Sequence, residues 1–222
     1  MKEDGSPDPL RDGSPAAFDE LIESIGPASL LVVIESRMGR LLRERMSSED
    51  VLQEVLLRAW RDRAKCEWRG RKHFRSWLLT LVDHRLATLA ANETALKRGG
   101  GTTPLALPGG DSDSGDGLAA PEPIASTTPS RIALYKEQSA AIREALEGLP
   151  DELREVVRLR LFEQIPIEDV ASRLSINGPT VRYRFAKGAE LYEKRLAAAL
   201  ASRSSDAARN SRAIAPPDPA PD

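Results

Sequence analysis

Cysteine and histidine are nearly missing from this sequence. Cys66, His73 and His84 are all it has in 222 residues. That excludes an internal disulfide framework and a cysteine-rich zinc site, and it leaves little for any metal centre. Aromatic residues are 5 % of the chain; Val and Ile are outnumbered by Ala, Leu and Arg, which speaks against a large β-sandwich or barrel. Long hydrophobic runs are lacking too: the longest, Leu30-Leu31-Val32-Val33-Ile34, is far short of a membrane span. The first residues carry no signal-peptide core, so a cytoplasmic protein without membrane insertion is expected. There is no glycine-rich phosphate loop, no Ser/His/Asp or Cys/His pairing and no metal-ligand spacing. Catalytic residues, metal and cofactors are therefore each expected to be none, and the chain is not expected to be an enzyme. Net charge is also small, −2 from 32 basic and 34 acidic residues, but the charge is unevenly spread.

Composition divides the chain into five parts. Residues 1–16, rich in Asp, Gly, Pro and Ser, read as a disordered lead-in. Residues 99–130 hold Asp111, Asp113, Asp116 and Glu122 and no basic residue; too apolar-poor to offset their ordering entropy, they read as a flexible acidic linker. As a free coil such a stretch spans roughly 30 Å root-mean-square. Residues 201–222 decay into Ala, Ser, Arg and Pro and read as a disordered tail. Two modules remain, at 17–98 and 131–200. Within 58–75 there are eight basic residues against Asp62 and Glu67, a local excess of +6 that the overall balance conceals.

Both modules carry helical periodicity, so the expected fold class is all-α: two small helical bundles joined by the linker. Phe18, Leu21, Ile22 and Ile25 keep the spacing of one helix face. Leu30, Leu31, Ile34, Met38, Leu41 and Leu42 continue it in a second helix. Ser47 or Ser48 caps a third, with Glu49 and Asp50 in its first turn, and a fourth begins near Lys72. In the second module one helix stops at Gly148-Leu149-Pro150, and Pro150 opens the next. Ile165-Pro166 ends that one. Ile167 to Tyr192 then has the pattern of a helix-turn-helix, with Ile176 plugging the turn and Asn177 capping the second helix.

Candidate site residues follow from what the core leaves outside. Thr180, Arg182, Tyr183, Arg184 and Lys187 lie on the outer side of the second helix of that motif, where base edges and phosphates are read. In the basic stretch, cations interleave with Trp60, Trp68, Phe74 and Trp77, a composition suited to phosphates and unpaired bases. Trp60 and Trp77 fall in register with core positions, which leaves Trp68 as the stacking candidate. On the third helix, Asp50, Gln53, Glu54, Leu57 and Arg58 share an outward face in which Leu57 is the anomaly.

These residues also carry a family resemblance. Asp50-Val51-Leu52-Gln53-Glu54-Val55-Leu56-Leu57-Arg58-Ala59-Trp60, followed by Phe74-Arg75-Ser76-Trp77-Leu78, resembles region two of bacterial sigma-70 family factors. Leu149-Pro150-Asp151-Glu152-Leu153-Arg154-Glu155-Val156-Val157, Glu168-Asp169-Val170-Ala171 and Thr180-Val181-Arg182-Tyr183-Arg184 are similar to region four. Two such modules around a bare linker look like the small extracytoplasmic-function class. The resemblance implies a subunit that binds core RNA polymerase and promoter DNA and directs initiation. It implies that Asp50, Gln53, Glu54, Leu57 and Arg58 dock on the polymerase. It implies that Trp68, Arg69, Arg71, Lys72, Arg75, His84 and Arg85 meet the minus-ten element, and that Thr180, Arg182, Tyr183, Arg184 and Lys187 meet the minus-thirty-five element. It also places the acidic linker near the polymerase's RNA exit path, and it admits an anti-sigma factor as a further partner, although no residue identifies one. The sequence departs from the family at Asp83-His84, where Arg-Asn is common, at Thr88, where Asp is common, at Ser175, where a turn glycine is usual, and in the length of the linker. The alternative from the residues alone is a free-standing helix-turn-helix regulator, which would bind an operator without polymerase.

Overall fold

The computed structural model describes residues 8–11, 14–97 and 124–213, with side chains described up to residue 94 and from 124 to 203. Among the described residues every regular element is helical, as periodicity led us to expect. The chain divides into two units between Lys136 and Glu137.

The first unit contains α1 (Pro15–Ile25), α2 (Pro27–Arg37), the single turn α3 (Arg40–Arg43), α4 (Ser48–Arg61), and α5 (Arg71–Lys97). Gly26 separates α1 from α2 at φ 72°, where its N–H donates to the Glu23 carbonyl at 3.1 Å and Pro27 starts the next helix. Glycine enters that left-handed region without steric penalty, and proline at the first helical position gives up a donor that has no intrahelical partner. Ser47 caps α4 in a reciprocal pair: the Asp50 N–H donates to Ser47 Oγ at 3.1 Å and the Ser47 N–H donates to Asp50 Oδ2 at 3.3 Å. Phe18, fully buried, meets the Trp60 ring edge-on at 5.2 Å and the Phe74 ring at 6.2 Å. Leu30, Leu31, Ile34, Leu52, Leu56 and Leu78 are also fully buried in this unit.

The second helix is shorter than its apolar pattern suggests. It stops at Arg37, Met38 is extended, and Gly39 begins the separate turn α3. Glycine is a poor helix former, and the break lets Met38 and Leu42 point inward while Leu41 is left 45 % exposed. A 3₁₀ turn (Ala125–Thr127) and the start of α6 (Pro129–Glu147) also belong to the first unit, with Ile124 and Tyr135 fully buried in it. The stretch expected as linker thus enters the described structure at residue 124; Asp111, Asp113, Asp116 and Glu122 lie outside the described residues, as do residues 1–7, 12–13 and 214–222.

In the second unit, α7 (Asp151–Val157) runs into a π-helical turn (Arg158–Phe162), followed by α8 (Ile167–Leu174) and α9 (Gly178–Ala213). α9 continues thirteen residues into the stretch whose composition reads as a tail. Val156, Leu159, Val170 and Val181 form the buried centre, with Ile167, Ala171, Ile176 and Phe185 packed against them. Gly188 allows α7 and α9 to touch: a Cβ there would stand 2.6 Å from Val157 Cγ2 and 3.3 Å from Leu153 Cβ. Both neighbours are buried and have no room to give.

Two features of this unit lead to measurable expectations. Ser175, in the turn between α8 and α9, holds φ 53° and ψ 42°. Left-handed backbone costs an L-residue roughly 1–2 kcal/mol, whereas a glycine there loses about 0.4–1 kcal/mol to the extra freedom of the unfolded chain. Ser175→Gly therefore stabilises the unit by about 0.5–1 kcal/mol, read as a higher thermal midpoint. Arg158 in the π turn is clasped by Glu155, at 2.6 Å and 3.1 Å, and by Glu163. The hydrogen bond from Arg158 holds the Glu155 carboxyl below its ordinary value and outweighs the opposing effect of burial. A carboxyl with a depressed folded pKa contributes stability above its unfolded value of about 4.5 and loses it as pH falls through the folded value. The wild-type midpoint should therefore fall more steeply below pH 4.5 than that of Arg158→Gln, measured by calorimetry across pH 3 to 7.

Candidate nucleic-acid interface

The candidates of the first unit lie on α4, on α5 and, for Trp68 and Arg69, in the segment just before α5. Asp50, Gln53, Glu54, Leu57 and Arg58 follow one another along α4 at three- and four-residue steps, which places them on one face. Asp50 belongs to the cap, Leu57 is half-buried, and Arg58 pairs with Asp62 at 3.2 Å. Gln53 donates through Nε2 to the Thr127 carbonyl at 3.1 Å. Glu54 pairs with Arg85 of α5, so this face and the basic helix are tied by an ion pair between residues 31 positions apart.

The basic stretch is less uniform than its sequence suggests. Arg71, Lys72 and His84 are exposed on α5, and Arg69, also exposed, pairs with Glu67 at 2.6 Å. Trp60 is buried, with the Arg63 guanidinium 3.9 Å above its ring, and Trp77 is half-buried 5.7 Å from Phe74. Trp68 is half-buried and tilted against Phe74 at 6.5 Å, so one part of its indole packs and the rest is open.

Arg75 does not join the exposed set. It is only 5 % exposed and donates through Nη1 to the Ile25 carbonyl at 2.8 Å, at the end of α1. Burial pulls its guanidinium down to about 10, because the charged form is disfavoured away from water. Its work is in the fold. The signal was present: Arg75 precedes Leu78 by three and Val82 by seven, in register with the core face.

Asp83, a departure from the family pattern, does not stand alone. Arg37 of α2 reaches its Oδ1 at 2.7 Å. Its negative charge on α5 is thereby largely offset at the surface.

In the second unit the helix-turn-helix has the expected cap, the Thr180 N–H donating to Asn177 Oδ1 at 2.8 Å. Thr180 is half-buried behind it. Arg182, Tyr183 and Lys187 project from the first turns of α9, Tyr183 being 65 % exposed with Lys187 Nζ 5.9 Å from its ring. Arg184 turns back to Glu152 of α7 at 2.9 Å. Tyr183 and Lys187 thus stand one turn apart on an exposed face, Arg182 is exposed beside Tyr183, Thr180 is tied into the cap, and Arg184 is engaged by α7. Among the described residues no three His, Cys, Asp or Glu side chains gather as a metal site, and no helix is long and apolar enough to cross a membrane.

The sequence matches the family sigma-70 region 2 over residues 29–94 and the family sigma-70 region 4 over residues 139–190, together more than half of the chain. It is similar to the RNA polymerase sigma-H factor of Pseudomonas aeruginosa, 28 % identical over 184 residues, 83 % of this chain and 88 % of that one. It is also similar to the ECF RNA polymerase sigma factor SigK of Mycobacterium sp. (strain JLS), 25 % identical over 149 residues, 67 % of this chain and 69 % of that one. The factor of the same name from Mycolicibacterium vanbaalenii is 26 % identical over 160 residues, covering 72 % and 74 %. A region-two bundle followed by a region-four helix-turn-helix defines a sigma factor. The chain belongs to the sigma-70 family, and within it to the promoter-recognising factors of the extracytoplasmic-function type.

Proposed function

We propose that the α4 face of Asp50, Gln53, Glu54, Leu57 and Arg58 docks on core RNA polymerase. The neighbouring cations and Trp68 then engage the minus-ten element, and the front of α9 reads the minus-thirty-five element. The observation that carries this reading is the exposure of Arg182, Tyr183 and Lys187 on the first three turns of a capped helix, the end that a recognition helix presents to the major groove. Arg69, Arg71, Lys72, His84 and Arg85 supply phosphate and hydrogen-bond contacts in the first unit; Arg75, engaged in the fold, is left out. The protein acts in the cytoplasm, where the polymerase is, takes no cofactor and catalyses nothing itself. An anti-sigma factor is the natural kind of antagonist for such a subunit.

Each module carries few phosphate-neutralising charges, so binding to DNA alone is weak, and attachment to polymerase makes two weak contacts act together through effective concentration. Run-off transcription with core polymerase tests the reading. Specific initiation that depends on this chain is expected. Failure to co-purify with core enzyme, together with tight operator binding by the protein alone, would leave the free-standing regulator instead.

A further inference from the structure

The segment 124–136 is built onto the first unit. Both oxygens of the Asp19 carboxylate accept backbone N–H groups from it, Ala125 at 2.8 Å and Ser126 at 2.9 Å. The Tyr135 hydroxyl donates to Glu23 at 2.6 Å, and Lys136 pairs with Glu49 of α4 at 2.8 Å. Ile124 and Tyr135 are fully buried. Between these anchors the Thr127 carbonyl takes the Gln53 amide, a member of the proposed docking face. Glu49 and Gln53 are one helical turn apart on α4, so the segment runs along one edge of that face.

We propose that residues 124–136 are a strap that covers the edge of the docking face in the free chain and that core polymerase displaces it from Gln53 to seat fully on α4. This rests on the docking reading above. A partner that binds only the open form meets an affinity reduced by the open fraction. The strap therefore restrains docking until polymerase is present in excess or another partner lifts it. Its anchors on α1 lie outside the docking face, so the two roles can be varied separately.

The full-length chain is titrated against core polymerase in three forms. In the first, Tyr135→Ala with Lys136→Glu loosens the strap; core affinity is expected to rise by up to about tenfold, the gain available if about a tenth of the wild type is open. In the second, Asp19→Cys with Ala125→Cys is bridged by a reducible bismaleimide, locking the strap; affinity should fall at least tenfold and return on reduction. Cys66 is buried, and burial raises its thiol pKa, so it competes poorly for the reagent. The third form is the wild type. Circular dichroism shows that each form is folded, and the reversible lock keeps the test valid if the loosened form is not. Equal affinity of the locked form before and after reduction, or weaker binding by a folded loosened form, overturns the strap alone. No binding by any form overturns the docking reading and the strap with it.

Discussion

Reversing Arg182 and Arg184 together, to Glu, is expected to lower minus-thirty-five-dependent initiation by about a hundredfold or more. A well-made base contact contributes roughly 1–3 kcal/mol of discrimination, and a reversed charge beside phosphate adds repulsion to the loss. Arg182 is exposed near the start of α9. Arg184 also holds Glu152 at 2.9 Å, so its reversal sets two carboxylates face to face and weakens the unit as well. The two effects separate in a triple variant. Adding Glu152→Arg restores the pair in the opposite sense; thermal stability should recover while promoter selectivity does not. Run-off transcription on promoters with intact and scrambled minus-thirty-five elements supplies the readout. Recovery of selectivity along with stability would remove α9 from promoter reading.

Phe18→Ala is expected to have the largest effect on stability. The ring is fully buried between Trp60 and Phe74, contacting each edge-on. Truncating a core phenylalanine costs about 3–5 kcal/mol in lost burial and residual cavity. Small domains are stable by only about 5–15 kcal/mol, so the first unit would lose much of its margin. Its thermal midpoint should drop by more than roughly 12 °C, at about 4–8 °C per kcal/mol for a unit of this size. Because Trp60 lies against the ring, tryptophan fluorescence reports the same transition. The second unit does not contain this cluster and should keep its own midpoint.

The helices were legible because burial imposes a 3.6-residue rhythm on the sequence, and Ser47 and Asn177 announce their caps by residue type. What is set by distant partners was not legible. Glu54 with Arg85, Arg37 with Asp83 and Arg184 with Glu152 join residues that no local pattern relates. Each changes how a candidate residue should be read: Asp83 is offset, and Arg85 and Arg184 start from a carboxylate. Arg75 is buried for a reason of another kind. It closes a stretch of eight cations, yet the helix period sets it toward the core, where it meets the Ile25 carbonyl. The segment 124–130 escaped because its polar composition hides Ile124, a single apolar anchor, and Asp19, which caps its turn from 106 residues away.

The Arg37–Asp83 pair has a consequence for ions in solution. A guanidinium already neutralised by a carboxylate displaces no condensed cation when DNA arrives, so it adds nothing to the salt dependence of binding. The same holds for Arg184 while it stays on Glu152. Arg182 and Lys187 have no carboxylate partner among the described residues. A plot of log affinity against log salt for the front of α9 should therefore have a slope near −2, about −0.9 for each of those two cations, rather than the steeper value that counting every basic residue on the helix would suggest. Such a shallow slope leaves promoter choice by this helix steady across the ionic strengths a cell experiences.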